Sequence, residues 1–552
     1  MPNLQSLASE GVILNKSYGQ PICSPSRAAY LTAFYPFRIG LQNSAIRNGV
    51  ADYLPLNLTL LPQRLRELNY STHLIGKWHL GHCRVDATPT YRGFDSFFGL
   101  YSSANDYYTK MTLPGATFAL GRPPAYDLRL NLDVYNSSEE EYETDLFTQR
   151  AVNLIANHST EIPLYISLQY TAPHVPLKVP DRFLDFYPNV TDENRRKYLA
   201  IVTSMDEGIG QVVQALKDKG MFDNTIIVFQ SDNGGKEGTG GASNDPLRGE
   251  KKMLYEGGTR LPAMIYSKNL ISNPGRVYEG LFHLVDWFPT LLSAVGVKDS
   301  GRGMDGVDQW PVLKTESGLD PRKVFIYNIN GGDGALRFGR YKLTEGNPGG
   351  FLGRRRKRSV DGNMDTALDL ETEDTARTLQ NTDRAAQLDS ERSRTKRSSQ
   401  NETEELEDIL ASLNNTDLEM DLRKLFQTLN NVDLGVELDS AGGRKANMSA
   451  IDTEGIVAVL EKFGPNNVST SSVCATCELY DLQADPVEAH DMAADYQLLV
   501  QFLYHIYSRF KTQEVDPVLK EPPVIIPQSN SSLYFNNTIG TGWCGGPPLP
   551  ST

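Results

Sequence analysis

Short β-rich runs alternate with helical patterns across residues 1–320, and few architectures other than a layered α/β fold accommodate that alternation. Strands are expected at 72–75, 164–169, 225–230, 262–266 and 324–328. Helices are expected at 60–68, 205–219 and 287–295, and over the run AAYLTAF that follows Arg27. The pattern predicts a mostly parallel sheet with helices on both faces. At Gly353 the composition breaks. From there to about Ser472 the only aromatic residues are Phe426 and Phe463, and acids with Ser, Thr and Asn dominate. Such chain buries too little apolar surface to offset its ordering entropy, so 353–472 is expected to be a largely disordered acidic insertion. Within it, Leu406, Ile409, Leu410 and Leu413, then Leu418, Leu422, Leu425, Phe426 and Leu429, keep helical spacing and suggest a loose hairpin. Order is expected to resume at Cys477. The chain therefore divides into a main domain at 1–320, a smaller α+β C-terminal subdomain at 321–352 and 473–552, and the insertion between its two parts.

Charge and cysteine content remove several functions. The 552 residues carry a net charge of −14, the wrong sign for tracking a nucleic-acid backbone. Apolar runs such as 226–229 are far short of the roughly 20 residues that cross a bilayer, so no membrane-spanning segment is expected. Five cysteines are too few for a disulfide scaffold. The lone Cys474-Ala475-Thr476-Cys477 has no second pair, which favours a local or Cys83/Cys544-linked disulfide over zinc. By contrast, 12 of the 34 asparagines stand in N-x-S/T sequons, about three times what ordinary Ser/Thr usage gives. Arg354-Arg355-Arg356-Lys357-Arg358 and Arg394-Thr395-Lys396-Arg397 read either as processing-protease sites or as solvated charge runs. The opening MPNLQSLASEGV has no basic-then-apolar leader. The expectation is a lysosomal or extracellular protein whose signal peptide is missing from this sequence.

Five short motifs carry chemistry. In Cys23-Ser24-Pro25-Ser26-Arg27, Ser24 suits a helix N-cap and Pro25 the first helical position, which sets Cys23 at a helix N-terminus, an anion site. Arg27 adds a guanidinium fork for a tetrahedral oxyanion. A thiolate phosphatase would space Cys and Arg six apart, where this chain has four, and a capped surface helix with a buried Cys remains open. Gly76-Lys77-Trp78-His79-Leu80-Gly81 follows the strand at 72–75, and in extended chain Lys77 and His79 would share a face. His174 follows the strand at 164–169, where a structural histidine is the plain alternative. Ser231-Asp232-Asn233-Gly234-Gly235 follows the strand at 225–230. It is either a turn or a pair of hard-oxygen ligands for Ca²⁺ or Mg²⁺. Lys251 lies in the loop LRGEKKMLYEGG. Three of the motifs sit just beyond the carboxyl ends of expected parallel strands, where open α/β sheets bind ligands. Together they describe a site for an anionic ester with a divalent metal.

The Cys-x-Pro-Ser-Arg run resembles the sulfatase signature whose Cys becomes formylglycine, and GKWHLG is similar to the second sulfatase signature. YRGFDSFFG, SMDEGIGQVVQAL, SDNGG, PLRG and YEGG extend the resemblance from Pro2 to about Gly349, and LYDLQADPVEAHDMA resumes it. The resemblance implies an alkaline-phosphatase-like α/β fold and hydrolysis of sulfate esters, of glycosaminoglycans or other glycoconjugates. It implies that Cys23 is converted by a formylglycine-generating enzyme and that the aldehyde hydrate attacks sulfur as a covalent nucleophile. Arg27 and Lys77 would hold the hydrate, and His79 would take the proton from its second hydroxyl. His174 and Lys251 would bind sulfate oxygens and protonate the leaving alcohol. Asp232, Asn233 and the hydrate derived from Cys23 would ligate one Ca²⁺.

Three departures qualify these expectations. The family pattern carries an Asp-Asp pair on a first strand that would precede Met1, so Ca²⁺ is expected to be under-coordinated and turnover of this chain low. The pattern has Leu-Thr-Gly-Arg where this chain reads Leu31-Thr32-Ala33-Phe34, which would slow maturation. The insertion has no counterpart. Two rivals follow: a catalytically dead secreted protein that binds sulfated glycans through the same cationic pocket, and a phosphodiesterase, which would use Thr or Ser where Cys23 stands.

Overall fold

A computed structural model of the chain describes residues 1–48, 50–113, 124–298, 303–316, 318, 320–351 and 474–518, with short strands at 534–535 and 538–539. The expected insertion, its hairpin, both basic clusters and four of its sequons (Asn401, Asn414, Asn447 and Asn467) lie outside the described residues.

Two sheets form the main layer. In the first, β1 (Val12–Tyr18) runs parallel to β9 (Arg276–His283) and antiparallel to β8 (Ala263–Tyr266), which is antiparallel to β7 (Ile227–Gln230). Strands β1, β7 and β9 therefore point the same way. In the second, β2 (Ser71–Lys77) lies parallel to both β3 (Ser96–Leu100) and β6 (Leu164–Gln169), and the short β4 (Arg129–Leu130) and β5 (Asp133–Val134) extend it antiparallel. The layer is thus mixed. Its antiparallel members include β8, one of the runs expected from sequence, whose direction no local pattern encodes. The strands that lead into the candidate motifs all run in the parallel sense within their sheets.

Helices cover these strands through apolar faces at helical spacing. On α4 (Glu143–Asn157), Phe147, Ala151 and Ile155 are buried. On α5 (Glu193–Asp218), Ala200, Ile201, Ser204, Met205 and Gly208 are buried, and Asp192 caps the helix by accepting from Arg195 N at 2.6 Å. This helix starts twelve residues before the expected run: its opening Glu193–Lys197 is polar and charged, and Ala200 and Ile201 already face the core. A Cβ on Gly208 would lie 2.4 Å from Thr148 Oγ1, so glycine lets α5 approach α4. Asp206, also on α5, accepts from Asn3 N at 3.0 Å and Leu4 N at 2.9 Å, capping α1 (Pro2–Ser9) from a distant part of the chain. α2 (Cys23–Thr32) opens directly after β1. Ala33 just beyond it, α3 (Leu61–Arg66) and α7 (Trp287–Ala294) share an apolar cluster of Ala33, Leu61, Leu65, Phe288 and Leu292.

A third sheet is wholly antiparallel, in the order β10 (Val324–Asn330), β11 (Asp333–Phe338), β12 (Tyr341–Glu345) and β13 (Cys477–Asp481). It joins the two chain segments expected to form a C-terminal subdomain. α9 (Gln497–Lys511) buries Leu499, Phe502, Leu503, Ile506 and Phe510 on one face, and Phe502 meets Phe338 edge-on at 5.5 Å. Cys474 and Cys477 form the local disulfide, and Cys83 is disulfide-bonded too. Among the described residues no helix is long and apolar enough to cross a membrane. Six sequon asparagines fall among the described residues (Asn15, Asn57, Asn69, Asn136, Asn157 and Asn189), and all six are exposed.

Candidate active site

Most candidate residues sit at the end of a strand or on the loop or helix that follows it, and Lys251 lies in the long loop between β7 and β8. Cys23 is the first residue of α2, one turn before Arg27. The helix starts two residues earlier than expected: Ile22 is its N-cap, and Ser24 does not cap. Instead the Ser24 hydroxyl donates to the His79 carbonyl at 2.9 Å and accepts from Ile46 N at 3.0 Å, tying α2 to the loop after β2. Ser26 Oγ donates to the Asp232 carbonyl, tying the same helix to the loop after β7. Arg27 Nη1 donates to the Lys77 carbonyl at 2.5 Å, and its Nε lies 4.0 Å from Asp232 Oδ2. One helical turn thus holds three loops together.

Lys77 ends β2. His79 does not share an extended face with it, because its φ is +56°. The left-handed turn, uncommon outside glycine, swings the imidazole inward. His79 Nε2 lies 2.7 Å from the Ile46 carbonyl, which can only accept, so Nε2 carries the hydrogen and Nδ1 keeps a lone pair. That Nδ1 is buried and has no partner. His174, in the loop after β6, has the opposite arrangement: Nδ1 donates to the Val175 carbonyl at 2.8 Å, leaving Nε2 free of that bond. Tyr107 Oη donates to the His174 carbonyl at 2.8 Å and steadies the loop.

Charges converge on Cys23. Burial pushes its thiol up, but Lys251 and Lys77, aided by Arg27, outweigh burial and bring it below the usual range. Burial raises the Asp232 carboxyl as well, and Lys77, Arg27 and Lys251 reverse that. Burial lowers Lys77 below an ordinary ammonium. Burial lowers Lys251 too, but the facing Cys23 and Asp232 anions hold it above normal. Burial, then Lys77 and Arg27, drive His79 well down, and burial with Lys251 and Lys77 takes His174 to about 3. Both imidazoles are therefore neutral while three cations face the pocket. That is a receptor for an oxyanion.

Asn233 follows Asp232 directly. Its Nδ2 donates to the Gly234 carbonyl at 2.9 Å, and its Oδ1 is buried without a partner. A buried carboxamide oxygen left unpaired beside a carboxylate is costly, and a hard cation satisfies both. The donor set fits Ca²⁺ better than a softer metal. Among the described residues no cluster of three or more His, Cys, Asp and Glu has the arrangement of a metal site. Ile46, whose carbonyl orients His79, carried no signal in the sequence, and Ser24 was read only as a cap, since a backbone carbonyl and a serine hydroxyl gain such meaning only through contacts.

A family model described as Sulfatase matches residues 1–297. Arylsulfatase J of Mus musculus is 40% identical over 372 residues, covering 63% of this chain and 60% of its own length. N-acetylgalactosamine-6-sulfatase of Mus musculus is 31% identical over 342 residues, covering 60% and 64%. The chain therefore spans less than two thirds of the length of these curated relatives. Among solved structures, Ps i-CgsB, crystallised alone and with k-i-k-neocarrahexaose, is 30% identical with a TM-score of 0.56, over 63% of this chain and 78% of that one. The PsFucS1 sulfatase from Pseudoalteromonas sp. is 28% identical with a TM-score of 0.51, over 62% and 72%. The motif stretches are also similar to arylsulfatase B, an N-acetylgalactosamine 4-sulfatase, a likeness that stays loose beside these relatives.

Proposed function

The chain belongs to the sulfatase family, and on that premise we propose that it hydrolyses a sulfuric ester on a sulfated sugar or glycosaminoglycan. The observation that carries this reading is the meeting of Cys23 and Arg27, both on α2, with Lys77, Asp232 and Lys251 from three other segments. Asp232, Asn233 and the oxygen replacing the Cys23 sulfur would hold Ca²⁺, which supplies positive charge to the sulfate. Formylglycine made from Cys23 supplies an oxygen nucleophile.

The chain's own groups account for the rest. Lys77 and Lys251 draw a sulfate anion into the pocket, and Arg27, braced on the Lys77 carbonyl, points its guanidinium between Cys23 and Asp232. His79 Nδ1 stands ready to accept a proton, because Nε2–H is committed to Ile46. His174 is neutral in the free pocket, and the arriving sulfate monoanion would raise its pKa, letting it and Lys251 supply a proton to the leaving oxygen. The six exposed sequons among the described residues support a secretory route to a lysosomal or extracellular destination, with a formylglycine-generating enzyme as maturation partner. A processing protease acting at the basic clusters is a further proposed partner.

Expression through a secretory route with formylglycine-generating activity tests the reading. The peptide bearing Cys23 should lose sulfur mass and gain aldehyde reactivity, and Cys23→Ala should abolish arylsulfate hydrolysis with the fold intact. An unmodified thiol in well-folded secreted protein, together with sulfoglycan binding and no turnover, would instead make this a binding protein.

A further inference from the structure

Glu256 opens the four-residue helix α6 (Glu256–Thr259) and is 1% exposed. Its carboxylate accepts from Tyr18 Oη at 2.9 Å, Tyr327 Oη at 2.8 Å and Lys342 Nζ at 3.2 Å. Its backbone N donates to Glu488 Oε2 at 2.7 Å, and Glu488 Oε1 lies 2.7 Å from Lys342 Nζ. These groups come from β1, β10, β12 and the loop after β13, and Arg337 of β11 faces the same carboxylate. A buried ionic cluster of this kind contributes little net stability compared with apolar packing, so its worth lies in the geometry it imposes.

That geometry reaches the pocket through backbone. Gly257 N donates to the Arg248 carbonyl at 2.7 Å, and the Gly258 carbonyl accepts from Gly234 N at 2.9 Å. Arg248 is three residues before Lys251, and Gly234 follows Asp232 and Asn233. The two loops also meet directly, Lys251 N to the Gly235 carbonyl at 3.2 Å. No slack is left: a Cβ on Gly257 would lie 2.1 Å from the Gly249 carbonyl oxygen, and one on Gly258 would lie 2.2 Å from that of Met253.

Resting on the site reading given above, we propose that Glu256 is a positioning residue, clamped by Lys342 and Glu488, which sets the spacing between Asp232–Asn233 and Lys251 through α6. The C-terminal sheet then shapes the pocket through Glu256, with Lys342 and Tyr327 as its grips.

The test uses the matured full chain and 4-nitrophenyl sulfate. Glu256→Gln keeps the shape of the side chain and removes its charge. Turnover per folded molecule should fall about tenfold or more, as expected for sub-ångström misplacement, with KM within about threefold of the parent. A merely structural Glu256 would leave kcat per folded molecule unchanged. That result, with Lys251→Met inactive, overturns the proposal and spares the site reading, whereas full activity of Lys251→Met overturns the site reading itself. If Glu256→Gln does not fold, Glu488→Gln, read in the same way, decides.

Discussion

At the scale of single residues, the surroundings of each group decide which proton it carries. His79 and His174 are chemically identical, yet each commits a different ring nitrogen to a carbonyl, so they present Nδ1 and Nε2 respectively. Glu143 is a sharper case. It is fully buried, close to Thr171 three residues before His174, and its carboxyl is pushed up to about 8 by burial. Between the ordinary value of 4.5 and about 8 the folded state holds a proton that the unfolded chain has released, so stability falls as pH rises through that window. The slope is about 1.4 kcal/mol per pH unit from this group alone. Glu143→Gln should therefore flatten the pH dependence of urea unfolding between pH 5 and 8 and raise stability at pH 8. An unchanged slope would mean that Glu143 is ionised throughout.

At the scale of elements, the catalytic geometry depends on loops crossing at backbone distance. Gly234 shows this best: a Cβ there would lie 1.9 Å from the Gly257 carbonyl oxygen, which is backbone and cannot yield. Gly234→Ala should force the loop after β7 away from α6. The expected cost is about 2–3 kcal/mol in urea unfolding, with loss of arylsulfate turnover well beyond the fraction unfolded. Near-wild-type activity would show that the Asp232–Asn233 loop tolerates displacement. The same reasoning explains why α2 needs Ser24 and Ser26 more than a conventional cap. Their hydroxyls bind the loops after β2 and β7, so the helix acts as a brace between the two sheets.

At the scale of the molecule, the chain leaves and re-enters at one edge of the third sheet. β12 and β13 pair antiparallel, with Glu345 opposite Cys477, and Gly346 N donates to the Thr476 carbonyl at 3.2 Å. The described segments that flank residues 354–470 therefore lie on neighbouring strands, and joining them with a short linker costs little, since loop-closure entropy grows only logarithmically with length. Excision of 354–470 should leave the melting temperature and the arylsulfate turnover close to those of the intact chain. Cleavage after Arg358 and Arg397 should leave both halves associated through the β12–β13 pairing, read by intact mass under native conditions. Collapse of the excised protein would make the insertion a structural part of the core.

The sequence by itself singled out candidate residues and the strands ahead of some of them. Hydrophobic periodicity placed Lys77 with His79, His174 and Asp232 beyond the strands now seen as β2, β6 and β7, whereas Cys23 and Lys251 were read from their own motifs, and β1, which precedes Cys23, was not among the expected strands. Periodicity is local, however. It could not show that β8 runs against its neighbours, that Ser24 braces and does not cap, or that Asp206 of α5 caps α1. Nor could it show that Ile46 selects the tautomer of His79, or that Glu256 is gripped by Lys342 and Glu488. Each of these is a contact between residues tens to hundreds of positions apart, and only the packed tertiary structure decides which distant groups meet.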